Sequence, residues 1–503
     1  MKNIITVIVS VCVLSFAQVE RWVYQFDGGV NGNDEAKAII QGTDGNIYAT
    51  GYGHIMGNGS DVVVVSLTPA GGERWVYTYN GPGDSMDVAL GVACDQDGNL
   101  YIAGSSYNNN NDLLIVSLTS DGVERWVYQY NGTGNGDDIA NSIAVGLDGN
   151  VYAAGVSYGT GTGDDFVIVS VDTAGNERWV YRYDWASWHD GANVLTCGAD
   201  DNIYVGGYSY MWVCTQVFTV ICVDTVGSEK WIFRTQGTGV VDEAVQSIVY
   251  GLDGNIYAAG YSSLLDFTVV SLDTAGTRRW EYVKGQAGFN DRALDVAYGS
   301  DGNIYSVGFL ESNGTGYDFT VISLSNASDS NWIYQYNGSG SGNDVAHAIV
   351  YGEDAHIYAA GSNLDSITGD DFTVIRLDTT GAEKWVYRFS GSGDGSDIAF
   401  SITYGLDHNL YIAGYSYDST TALDFTVISL DTTTSHIEED KATPTKSNNF
   451  ASIIFSGPIL LPEGKNYKVF DITGRVVTPD KIKPGIYFIE IDGVITKKVV
   501  KVK

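Results

Sequence analysis

The chain predicts an all-β fold, an eight-bladed β-propeller whose N-terminal strand closes the last blade, followed by a small C-terminal β-sandwich. Three observations carry that prediction. Eight Trp residues, Trp22, Trp75, Trp126, Trp179, Trp231, Trp280, Trp332 and Trp385, recur at spacings of 49 to 53 residues, the period of a four-stranded supersecondary unit. Each unit repeats four β-branched or aromatic runs: the Trp strand, a D-x-A strand, an N-I-Y-A-A-G-like strand and a D-F-T-V-I-S-L-D-like strand. A lone four-stranded sheet cannot bury both faces, so such units pack on one another around a ring. Finally, the repeats open with an unaccompanied Trp strand, Glu20–Phe26, and end at Asp424–Asp431 without one. Pairing the two completes an eighth blade and leaves no unpaired edge.

The elements follow in order. Residues 1–17 read as a secretory signal: Lys2 precedes a mostly apolar Ile4–Phe16 and a small residue at Ala17, too short a run to span a bilayer. Residues 18–431 form the propeller, 432–449 a linker of Thr, Ser, Glu and Lys, and 450–503 a separate β domain. Charge divides at the linker. Residues 1–440 hold 16 Lys and Arg against 56 Asp and Glu, a net of −40, whereas residues 441–503 carry +6. A surface that acidic repels nucleic acid and anionic lipid, so neither nucleic-acid binding nor membrane insertion is expected. Cations, neutral glycans and proteins stay open as partners, and a monomer is expected.

Four cysteines follow the signal. Cys94 and Cys197 share a repeat position filled elsewhere by Val145 or Tyr250, and Cys222 stands where Ser170 stands in its own unit. This is small apolar usage; a Cys214–Cys222 disulfide is left open, and no Cys or His spacing suits a metal.

Repetition also sorts architecture from function. A tyrosine recurs in every second strand, from Tyr48 to Tyr411, and eight identical environments suit blade packing better than one ligand. The D-x-A aspartates Asp34, Asp87, Asp138, Asp190, Asp242, Asp291, Asp344 and Asp397 admit two readings. They form a cation-binding ring, or, the reading preferred here, they cap backbone N–H groups of the preceding Gly-rich turns. A second series, Asp61, Asp112, Asp165, Asp266, Asp318, Asp371 and Asp424, fails at Val217. D-G-N turns lack the ligand series of a calcium loop and are read as hairpins.

The D-G-N and D-T-A-G-N-E turns share one face of the ring, and the variable loops share the other. Blade four stands out there. Its loops hold the three Trp residues outside the repeat set, in D-W-A-S-W-H-D and Y-M-W-V-C, so Trp185, Trp188, His189, Tyr210 and Trp212 form the candidate binding patch. Aromatics clustered on loops over a rigid scaffold suit sugar or protein recognition, the alternative being that they plug the channel.

Two resemblances add expectations. Residues Asn466–Val477 and Lys483–Lys503, with D-I-T-G-R, P-G-I-Y-F and a Lys-rich last strand, resemble the type A C-terminal sorting domain of type IX secretion substrates. That resemblance implies the type IX machinery as partner, passage through the outer membrane, and release or surface attachment. The repeats, as in Gly136–Gly155, resemble a propeller repeat of large secreted bacterial proteins, which implies fold and no common reaction. S-L-D-T-A-G-T-R-R-W at Ser271–Trp280 is similar to the blade-docking motif of pyrroloquinoline-quinone dehydrogenases, but the adjacent cysteines that family places beside its quinone are missing. No cofactor is expected. The sequence therefore predicts a secreted or cell-surface binding or adhesion propeller that is not an enzyme, with a polysaccharide hydrolase or lyase as the alternative.

Overall fold

The computed structural model describes residues 19–503 apart from 30–31, 56–58, 84, 186–187, 211–215, 236–241, 263–264, 286–287, 313, 339–341, 367, 434–452, 456–466, 472–474, 479–484, 492–493 and 502–503. The signal segment, most of the linker, Trp212, Cys12 and Cys214 lie outside the described residues. The chain divides into two compact units, Met1–Ile437 and Glu438–Lys503.

The first unit is the expected eight-bladed propeller: eight four-stranded antiparallel sheets, seven of them meanders of consecutive strands. The eighth joins Ile398–Tyr404, Asn409–Asp418 and Ala422–Asp431 to the N-terminal strand Glu20–Phe26. Trp22 pairs with Ser429 and Phe26 with Phe425, so the two ends of the ring are sewn by a ladder. First strands of successive blades adjoin one another and are innermost.

Each seam between blades repeats one apolar mixture. Aliphatic and Phe side chains from the third strand of one blade meet Ala and Ile from the first and second strands of the next, as Leu113 and Ile115 of blade two share a cluster with Ala140, Ile143 and Ala153 of blade three. The recurrent tyrosines, Tyr48 through Tyr411, are fully buried, and their hydroxyls donate to the turn aspartates, as Tyr152 does to Asp148 at 2.7 Å. A one-residue bulge before each outer-strand Trp leaves the preceding residue out of the ladder, as Arg178 is between Glu177 and Trp179, while the Trp stays paired. Arg178 bonds Tyr152 and Ser170, and the Trp179 indole donates to Thr225 O of the next blade at 3.0 Å.

The same indole-to-carbonyl bond locks seven seams, from Trp22 onto Pro69 O to Trp332 onto Thr379 O. Glycine is required under the ring: a Cβ on Gly71, whose φ is +83°, would sit 2.6 Å from the Trp22 ring. Trp385 is the exception. The turn that would receive it is where the chain leaves the ring, and its buried Nε1 has no partner. That seam is tied instead by Arg376 to Thr432 O and by Tyr387 to Glu20 at 2.6 Å.

In the second unit, the described strands Ile453–Phe455, Tyr467–Asp471, Val476–Val477, Gly485–Ile491 and Val494–Lys501 form one five-stranded sheet. The first pairs parallel to the last, Ile453 with Val499, and the other pairings are antiparallel. A second layer of the expected sandwich is not among the described residues.

Candidate functional site

The D-x-A aspartates build the variable face. Their carboxylates cap backbone N–H groups, as the preferred reading held, and those of Asp34, Asp87, Asp190, Asp344 and Asp397 each join two segments. Asp397 accepts from Gly391 N at 3.1 Å and from Tyr417 N at 2.8 Å. Asp344 does the same with Gly338 and Leu364. The first donor precedes the aspartate in the loop entering the blade; the second follows the blade's second strand. One buried carboxylate thus staples the two variable loops of a blade together.

In blade four the staple holds the candidate patch. Asp190, 0 % exposed, accepts from Trp185 N at 2.7 Å and from Tyr210 N at 3.0 Å. Burial pushes its carboxyl up to about 7, against the lowering effect of those two N–H groups. Burial likewise raises Asp34 and Asp344 to about 6 and Asp397 to about 7. Trp185 occupies the place that Gly28, Gly81, Gly132, Gly338 and Gly391 hold six residues after their own repeat Trp. A Cβ at Gly81 would meet the Asp87 carboxylate 2.6 Å away, so a Trp there forces this loop onto a different path.

The remaining residues sit around that anchor. Trp188 is exposed at 39 %, and its backbone passes Gly163 of the neighbouring blade. His189 is exposed, with its Nδ1 2.8 Å from Asp164 Oδ2 of blade three. The imidazole packs edge-on to Tyr210, centroids 6.1 Å apart, and Tyr210 packs edge-on to Tyr208 at 6.3 Å. Gln216 donates to the Tyr210 hydroxyl at 3.2 Å. The structure therefore brings His189 and Tyr210 into contact, ties Trp185 to Tyr210 through Asp190 and leaves Trp188 exposed beside His189 in the chain, while Trp212 lies outside the described residues.

Sequence reasoning missed three participants. Asp164 comes from the neighbouring blade, and Tyr208 lies one turn of the pleat below Tyr210. The third is Arg234, whose guanidinium lies 4.4 Å over the Trp185 ring and 5.1 Å over that of Tyr183. A signal for it existed. In blade three the equivalent Arg182 pairs with Asp165 at 2.5 Å; in blade four the aspartate has become Val217, so the arginine turns to the aromatic rings, a cation–π arrangement that suits a guanidinium freed of its anion.

No protein-family model matches the chain, and no curated protein does. Among solved structures, similar folds include Sqt1 from Chaetomium thermophilum (12 % identity, TM-score 0.42, covering 65 % of this chain and 79 % of that one). A neuraminidase-like protein of A/flat-faced bat/Peru is 11 % identical, with a TM-score of 0.38, covering 69 % of this chain and 89 % of that one. The NanB sialidase from Streptococcus pneumoniae is 12 % identical, with a TM-score of 0.37, covering 83 % and 71 %. The expectation that the protein is not an enzyme is corrected here: propellers similar to this one include a sialidase and a neuraminidase-like protein, so a ring of this kind gives no ground for excluding catalysis. At these identities the likeness extends to the propeller fold and assigns no catalytic residue to this chain.

Proposed function

We propose that the protein is an extracellular propeller whose blade-four face binds a glycan, and that its C-terminal domain addresses it to a type IX secretion route. One observation carries the first half: the exposed Trp188 directly precedes His189, whose ring packs on Tyr210, on loops pinned by Asp190. A flat exposed indole flanked by polar side chains offers a stacking surface for the apolar face of a pyranose and hydrogen-bond partners for its hydroxyls. The loops of the other blades are mostly Gly, Ser, Thr, Asn and Asp, and none of them holds a Trp. The second half rests on the charge change at the linker, on the sorting-domain motifs and on the signal-like first residues. A glycan array probed with the mature chain tests the binding: retention of defined glycans that Trp188→Ala abolishes supports the reading, and an array without signal contradicts it.

A second reading, a polysaccharide-cleaving enzyme, is favoured by the His189–Asp164 pair at 2.8 Å. A carboxylate on one ring nitrogen orients an exposed imidazole with the other nitrogen outward, the arrangement of a general base. Asp190 is not available for this work, since its carboxyl is fully buried beneath the loops it holds. Release of reducing ends from a bound polysaccharide, lost in His189→Ala with binding retained, distinguishes this reading from binding alone.

A further inference from the structure

The two aspartate series meet at the seams between blades. The backbone N–H of a D-x-A aspartate donates to the carbonyl just before the third-strand aspartate of the previous blade: Asp291 to Leu265 O at 2.8 Å, Asp344 to Tyr317 O at 2.7 Å and Asp34 to Leu423 O at 2.7 Å. Two carboxylates therefore face each other at a seam, and their repulsion adds to the burial that raises Asp266, Asp344 and Asp397. Some seams relieve it within the chain. Arg182 pairs with Asp165, the Arg388 charge acts on Asp371, and in blade four Val217 removes one carboxylate.

The closing seam does the reverse. The outer-strand position that holds Arg182 in blade three holds Gln25 here, which donates to Ser416 at 2.8 Å. A third acid, Asp27, joins Asp34 and Asp424, and one oxygen of each lies within 4.8 Å of the others. Asp424 is 6 % exposed and its buried Oδ1 has no hydrogen-bond partner, while the neighbouring Thr421 hydroxyl acts on the same carboxyl. Among the described residues, no Lys or Arg is paired with Asp34 or Asp424. A bare buried Oδ1 recurs at Asp165, Asp266 and Asp318, but here two further acids stand beside it, and such a cluster is costly unless a proton or a cation sits against it.

We propose that the closing seam is a divalent-cation site of the calcium class, with Asp27, Asp34 and Asp424 as ligands. Calcium takes about six to eight oxygens at about 2.3–2.6 Å, so ligands on opposite sides of the ion stand about 5 Å apart, the span of this triad. Each Asp34 oxygen takes one backbone N–H and keeps a lone pair for the ion. The Thr421 hydroxyl and water complete the shell, and the exposed Asp27 gives the ion its way in. The ligands come from both ends of the ring: Asp27 follows the N-terminal strand, Asp34 opens blade one and Asp424 lies on the strand that the N-terminal strand pairs with. A bound ion therefore clamps the closure, where the chain has no covalent link between its ends.

The full mature chain, stripped with EDTA and dialysed into 150 mM NaCl, is titrated with CaCl2 by calorimetry and melted with and without it. The expected result is a saturable site and a raised melting temperature, with calcium affinity at least about tenfold weaker in both Asp27→Asn and Asp424→Asn. Asp27→Asn changes an exposed side chain, so its folding is not in question. Asp121→Asn, a charge-matched change at an exposed turn, leaves the affinity unchanged. Absence of saturable binding, or an equal calcium response in the parent and Asp27→Asn, overturns the proposal and leaves only diffuse screening of an acidic surface.

Discussion

Replacing Asp190 with alanine separates the scaffold of the candidate site from the site itself. The carboxylate is fully buried and accepts two backbone N–H groups, those of Trp185 and Tyr210, one from each variable loop of blade four. Each N–H left unpaired costs about 1–3 kcal/mol. Part of that is returned, because burial already disfavours the ionised form of a group raised to about 7, so a net loss of about 2–4 kcal/mol is expected. Asp397→Ala is the matched control. It removes an equally buried carboxylate, also raised to about 7, from Gly391 and Tyr417 of blade eight. Urea unfolding should give the two variants similar losses, while only Asp190→Ala loses glycan binding. If Asp190→Ala is as stable as the exposed change Asp121→Ala, the staple does not hold these loops; if both variants lose binding equally, the site is not in blade four.

Three further outcomes follow from the same geometry. Trp188→Ala should weaken binding by about 1–3 kcal/mol in a titration, with an unchanged melting temperature, because the ring is exposed. Deleting Glu20–Phe26 should bare the Ala422–Asp431 strand and remove the Trp22 contacts to Gly71 and Pro69, seen as a lower melting temperature and association in light scattering. Calorimetry across pH should place maximum stability at about pH 4. The carboxyls of Asp34, Asp190, Asp344 and Asp397, raised to between about 6 and 7, contribute stability that is complete below their unfolded value near 3.9 and is lost as pH rises through 6–7. Turn aspartates such as Asp44 and Asp148 act in the opposite sense. Burial would raise them, but bonds from Asn and Tyr side chains outweigh it and hold them low, so their contribution is present above about 3.9 and lost on further acidification.

The ring was legible in the sequence because each rule is written eight times. The Trp at a fixed period gave the blade count, and the unmatched first strand at Trp22 with the last unit ending at Asp431 gave the closure. The staple was legible in kind, since an aspartate after a Gly-rich turn caps backbone, but its second donor, about twenty residues downstream, depends on how the sheet folds back. Arg234 was hidden for a related reason. Its stacking on Trp185 follows from the loss of a carboxylate at Val217 on the adjacent strand, a change visible as a gap in a series whose spatial partner only the strand register supplies. Asp164 was out of reach because it belongs to the preceding blade, and the seam bond that brings it to this loop, Asp190 N–H to Asp164 O at 2.7 Å, shows only once neighbouring blades are packed.

The central claim is that recognition resides in the one differentiated blade and not in the repeated aromatics or the channel. Side-by-side titration of the mature chain, Trp188→Ala and the repeat-position variant Trp75→Ala with the strongest ligand from the glycan array tests it most directly. The account predicts that Trp188→Ala loses affinity without losing stability, and that Trp75→Ala, which gives up the bond to Ser120 O and the packing over Gly122, loses stability but keeps its affinity wherever it is folded. Unchanged affinity in Trp188→Ala would contradict it.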